Sequence, residues 1–162
     1  MLANRHCLHQ ALELLDRLGD AQYASPRGAW SPVGAQLRHV IEHYQCFLEG
    51  LPEGRVDYDA RRRDAAIEAS RTHAKSVVTE LDRALASLAA APETPLDVQM
   101  RCATDDAEPS WSRSSVGREL QFLVSHSVHH FALIKLLIAG DGVDVSEDFG
   151  LAPSTLAHLR HR

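Results

Sequence analysis

Cysteine is scarce. Cys7, Cys46 and Cys102 are three in 162 residues, odd in number and far apart. That excludes a disulfide framework and a CxxC zinc site, and a reducing cytoplasm is the expected setting. Long apolar runs are missing: none approaches the roughly 18 residues of a membrane span. The opening MLANRHCLHQ lacks the charged, apolar and small-residue blocks of a secretory leader. Positive charge is not in excess either. Lys and Arg number 17 against 22 Asp and Glu, a net charge of -5, which argues against nucleic acid or an anionic membrane as partner. No Gly-rich phosphate loop, HExxH motif or low-complexity stretch occurs.

What is present is a 44% hydrophobic chain, one domain's worth over 1–162, able to bury roughly two thirds of its unfolded surface. Apolar residues recur at helical spacing in four long segments. The first, 2–19, carries Leu8, Ala11, Leu12, Leu15 and Leu18 and stops at Gly19. The second, 31–49, is expected to start on Ser31 as cap with Pro32 at the first helical position. The third, 65–90, has Ile67, Val77, Val78, Leu81, Leu85 and Leu88 on one side. The fourth, 115–139, is capped by Ser114 or Ser115. It is apolar around most of its circumference and so is expected to lie deep. Pro26 and Gly28 make 21–30 a loop. The stretch 54–64 reads as a charged connector, 96–103 as a strand-like piece, 105–109 as a turn and 153–159 as a short helix. The expectation is an all-α four-helix bundle. Residues 31–43 and 114–126 echo one another in Ser, Val, Gly, Leu and His, pairing His43 with His126. Either a two-fold arrangement of two helices or similar capping accounts for that.

Histidine is the anomaly, ten residues in all. His126 and His130 lie one turn apart, within about 40° on one face. His39 and His43 form a second such pair, on the flank of their helix's apolar stripe. A single histidine on an apolar face is usually a hydrogen-bonded core residue. Two pairs on two helices of a bundle can instead converge on a cation, since neutral imidazole keeps a lone pair free. No carboxylate is assigned to the His126 face, which disfavours a di-iron carboxylate centre. Imidazole without acidic ligands suits Zn²⁺ or Ni²⁺ better than Mg²⁺ or Ca²⁺. His129 falls at the rim of that face. His6, His9 and His73 read as surface residues.

WSPVGAQLRHVIEHYQCFL over 30–48, followed by HSVHHFALI over 126–134, resembles the DinB-like superfamily, including YfiT-type metal-dependent hydrolases and thiol-dependent transferases. The resemblance covers the four-helix core, most of the chain. It implies a four-helix bundle with a divalent metal, often dimeric, acting on a small molecule with water or a low-molecular-weight thiol. Carried over residue by residue, it places the metal ligands on His39, His126 and His130. Helix angle and the internal echo favour His43 in place of His39, so His43 stands as alternate ligand or as a hydrogen-bond donor beside the metal, and His129 likewise.

Around that centre, the connector crowds Asp57, Tyr58, Asp59, Arg61, Arg62 and Arg63. It is either a solvated loop or a cleft rim, where Arg61 would hold a substrate carboxylate and Tyr58 would donate a proton. Cys46 reads as a small buried residue. The competing function is a non-enzymatic, stress-linked binding or dimerisation bundle whose histidines are structural. A pH-responsive histidine cluster is a third reading.

Overall fold

The computed structural model describes residues 1–26, 28, 30–104 and 110–161. The chain is mostly helical: α1 Leu2–Arg17, α2 Asp20–Ala24, α3 Val33–Gly50, α4 Ala65–Ala69, α5 Arg71–Ala86, α6 Val116–Leu137 and α7 Pro153–Arg160. It also carries β1 Arg55–Asp57, β2 Pro95–Gln99 and β3 Ser112–Ser115. The four long helices each touch two others, α1 against α5 and α6, and α3 against α6 and α5. Their apolar stripes meet in one core that includes Leu8 and Leu15, Leu37, Ile41 and Phe47, Val78 and Leu85, and Leu123, Phe131 and Ile134. Each such side chain contributes about 1.5–3 kcal/mol when fully buried. Among the described residues, no helix is long and apolar enough to cross a membrane.

Several expectations need correction. The helix expected over 65–90 breaks at Ser70, whose backbone is extended (φ -121, ψ 106). Its hydroxyl accepts from the His73 N–H at 3.2 Å, so Ser70 caps a new helix. The apolar stripe continues from Ile67 to Ala74 across the break, so periodicity alone hides it. The helix expected from Ser31 begins at Val33 with Pro32 as cap and no side-chain cap bond. The loop expected over 21–30 contains α2. There the Gly19 N–H donates to Gln22 Oε1 at 2.8 Å, and Tyr23 is fully buried with its hydroxyl donating to the Ile67 carbonyl. Helix α6 is not deep all round: Gln121, Ser125, His129, Ala132 and Leu136 form an exposed stripe. Ser115 does cap it, accepting from the Arg118 N–H at 3.3 Å. The short C-terminal helix is present as α7. The turn expected over 105–109 lies outside the described residues.

The all-α expectation also yields to a three-stranded sheet, in the order β1-β2-β3. β1 runs parallel to β2, with Val56 opposite Val98, and β2 runs antiparallel to β3, with Asp97 opposite Arg113. The sheet matters because it joins α3 to α6. α3 passes through a 3-10 turn, Leu51–Glu53, and a left-handed Gly54 (φ 65) into β1, while β3 runs into α6 at Ser115. The segment after β1 is pinned at both ends. Asp59 Oδ2 accepts from the Arg101 N–H at 2.6 Å, and Glu42 Oε1 on α3 accepts from the Asp64 N–H at 2.6 Å. Arg61 lies between those anchors and Tyr58 directly precedes the first.

Candidate metal centre

Four imidazoles meet along the seam of α3 and α6. The His43 and His126 ring centres are 4.0 Å apart, those of His39 and His126 5.0 Å, and those of His39 and His130 4.6 Å. His43 faces His126 while the earlier His39 faces the later His130, so the two helices run antiparallel here. Their deepest stripes go to the apolar core, and the histidines occupy the flanks that face each other. His39, His126 and His130 are partly buried and His43 is buried.

Ligand nitrogens of His39, His43 and His126 lie within 4.8 Å of one another, a set that can hold a metal ion. His130 adjoins this set by ring position, 4.6 Å from both His39 and His126, but it is not one of the three whose nitrogens close to within 4.8 Å. The sequence reading with His39, His126 and His130 and its alternate with His43 are therefore brought into one cluster of four.

Hydrogen bonds fix three of the ring nitrogens. His43 Nδ1–H donates to the His39 carbonyl at 2.7 Å, one turn back on α3. His43 Nε2 accepts from Arg61 Nη1 at 3.1 Å. His130 Nδ1–H donates to Gln36 Oε1 at 2.7 Å, the kind of outer partner that orients a metal-binding histidine. His126 Nε2 is different: it is buried and has no hydrogen-bond partner. A buried polar atom without a partner costs about 1–3 kcal/mol. A cation on that nitrogen would offset the cost, and so the residues present fit a metal.

The electrostatics keep these rings neutral. Burial, then His43 and His130, pulls His39 down to about 3. Burial followed by His43 and His130 takes His126 to about 2. His43 falls to about 4, chiefly through burial, with the Arg61 charge adding to it. His130 falls to about 4 through burial, His129 and Arg61. Neutral imidazoles with free lone pairs are what Zn²⁺ or Ni²⁺ takes up.

The remaining sequence candidates divide. Arg61 reaches the cluster through His43, whereas Arg62 pairs with Glu49 at 2.8 Å and Arg63 turns back to the Arg61 carbonyl. The ring of Tyr58 stacks on His43 at 5.4 Å. Its hydroxyl, however, donates to Glu119 Oε2 at 2.9 Å, and burial with the neighbouring carboxylate holds its pKa well above the usual tyrosine value. His129 is exposed and touches only the rim, edge-on to His130. Cys46 is partly buried and burial raises its thiol to about 11. His6, His9 and His73 are exposed and lie beside Asp148, Asp82 and Asp64.

Two residues escaped the sequence reading. Glu119 does share the His126 side of α6, seven residues earlier, and the expectation of no carboxylate there is corrected. Its oxygens are taken by Tyr58 and Ser114, so it braces the wall and does not join the nitrogens. Gln36 was the other. It lies one turn before His39 on the same side of α3, but its partner, His130, is on the facing helix.

Residues 3–134 match the family model of the DinB superfamily. A Rhizopus delemar protein named "FK506-binding protein 5" is 33% identical over 106 residues, 65% of this chain and 28% of that protein. The matched stretch thus spans under a third of that curated relative's length. No solved structure gives a significant match.

Proposed function

Since the chain belongs to the DinB superfamily, we propose that it is a metal-dependent enzyme built on a four-helix bundle, with one divalent ion, zinc or nickel, held by His39, His126 and His130. The observation that carries this reading is the buried, unpartnered Nε2 of His126 between the other rings. His130 is preferred to His43 as third ligand because its Nδ1–H is committed to Gln36, leaving Nε2 for a metal, while His43 Nε2 already accepts from Arg61. The closeness of the His39, His43 and His126 nitrogens keeps His43 as the alternative.

A divalent ion with three imidazole ligands has a position left for water or a thiol and lowers its pKa toward neutral. The chain's own groups then divide the work. Gln36 holds His130 in one tautomer. The His39 carbonyl holds Nδ1–H of His43, directing Nε2 outward. Arg61 is a fixed positive charge at the cleft, suited to a substrate carboxylate. When such an anion draws Arg61 off, Nε2 of His43 is freed to accept a proton from the attacking water or thiol. The substrate class is a small electrophile carrying an anionic group, with hydrolysis or transfer to a low-molecular-weight thiol as the reaction and a homodimer as the working form.

The test is turnover of mono-p-nitrophenyl succinate and of 4-chloro-3-nitrobenzoate with glutathione, each an electrophile carrying a carboxylate, by protein loaded with Zn²⁺ or Ni²⁺. Turnover in the wild type and none in His126→Ala supports the reading. Metal uptake with no turnover of either would point to a binding bundle and contradict the enzyme.

A further inference from the structure

Beside the histidines lies a cavity of about 410 Å³, lined by Trp30, Gln36, Leu133, Leu136 and Leu137. That is within the range of about 300–1,000 Å³ of small-molecule sites. Its walls are mainly apolar, and Leu136 and Trp30 are 75% and 70% exposed at its mouth. Isolated exposed apolar residues need no explanation, but two at the lip of an apolar hollow do. Gln36 is shared: its Oε1 accepts from His130 Nδ1–H, while its side chain also faces the cavity. On α6 the lining continues three to seven residues past His130, about 5–10 Å along the axis.

We propose that this cavity receives the apolar part of the substrate, an alkyl chain or aromatic ring, while the reacting group lies at the histidines. The inference rests on the metal reading above and deepens it. The substrate is then amphiphilic, with an anionic or chelating head between Arg61 and the imidazoles and an apolar tail toward Trp30. The amide of Gln36 offers two N–H donors to an acceptor atom at the junction. Leu133, Leu136 and Leu137 set the preferred tail size.

Two hydroxamates with the same chelating head test it, acetohydroxamate and octanohydroxamate, titrated into the full chain loaded with Zn²⁺. Each added methylene that enters an apolar site favours binding. Octanohydroxamate is expected to bind tighter by about tenfold or more. Leu136→Glu, at an exposed position, and Leu133→Arg, which fills the cavity, are expected to remove the difference and leave acetohydroxamate unchanged. Equal binding of the two by the wild type overturns the tail site alone and leaves the metal reading standing. Binding of neither by the Zn²⁺-loaded chain overturns this inference, whereas a chain that takes up no Zn²⁺ at the loading step removes the metal reading and this inference with it. A dimeric wild type without tail preference that becomes monomeric in Leu136→Glu would show the face to be covered by a second copy, and would overturn the proposal.

Discussion

His43 and His126 lie ring against ring, 4.0 Å between centres, and they are also the matching members of the two echoed segments. The helix starts match as well. Gly34 and Gly117 are each the second residue of their helix, and each is closed on by a backbone carbonyl. A Cβ on Gly34 would lie 2.1 Å from the Glu68 oxygen, and one on Gly117 would lie 3.0 Å from the Pro92 oxygen. The echo thus has a structural counterpart: two helices, each begun against a crossing backbone, bring equivalent histidines to one place.

That contact makes a stability prediction. Gly34→Ala cannot be accommodated without moving the α4 backbone, and is expected to lower the melting temperature by more than about 5 °C. Gly117→Ala is expected to cost clearly less, since its contact is only tight. Thermal unfolding by circular dichroism would show the order, and equal losses would contradict the close approach at Glu68.

The third metal ligand can be assigned by substitution. His130→Ala is expected to weaken Zn²⁺ binding by more than about 100-fold. His43→Ala is expected to leave affinity within about tenfold and to act on turnover. Competition with a chromophoric chelator reads both. The reverse order would assign His43 in place of His130.

Gln36 touches no metal in this account, yet orients one of its ligands. Gln36→Leu removes the acceptor for His130 Nδ1–H and is expected to lower metal affinity about 10–100-fold. Its melting temperature without metal should stay near that of the wild type. Unchanged affinity would reduce Gln36 to a lining residue of the cavity.

Acid should unfold the metal-free protein earlier than its carboxylates alone require. Unfolded, the four imidazoles take up protons near pH 6.5; folded, they resist until about 4 for His43 and His130, about 3 for His39 and about 2 for His126. Between those limits the unfolded chain binds more protons, so stability falls as pH falls. Melting temperature should be level above pH 6.5 or so and decline steadily toward pH 4. Replacing His39 and His126 by Gln should flatten the decline. A level profile in the wild type would mean the rings are hydrated and not depressed.

Much of this was legible in the residues because the long helices carry regular apolar stripes and because paired histidines one turn apart are rare on such faces. The break at Ser70 was not, since Ile67 and Ala74 keep the stripe in phase across it. Of the sheet, only β2 was legible, through the strand-like piece expected over 96–103; its two neighbours were hidden for a different reason. β3 is Ser-Arg-Ser-Ser, and β1 has only Val56 as an apolar residue, so neither shows alternation. Without the sheet there was no way to see that residues 58–61 are folded over the histidines. Arg61 could be suspected but not placed, and Tyr58 could not be seen to spend its hydroxyl on Glu119. Gln36 went unnoticed because a glutamine beside an apolar stripe carries no signal until its partner on the facing helix is known.

The most direct measurement is metal content with coordination. Tag-free protein loaded with Zn²⁺ or Ni²⁺ and then dialysed should hold one ion per chain, with X-ray absorption reporting imidazole nitrogens at about 2.0–2.1 Å. His126→Ala should fold but hold none. A wild type that retains neither ion, or an ion that persists in His126→Ala with unchanged nitrogen coordination, would contradict the account.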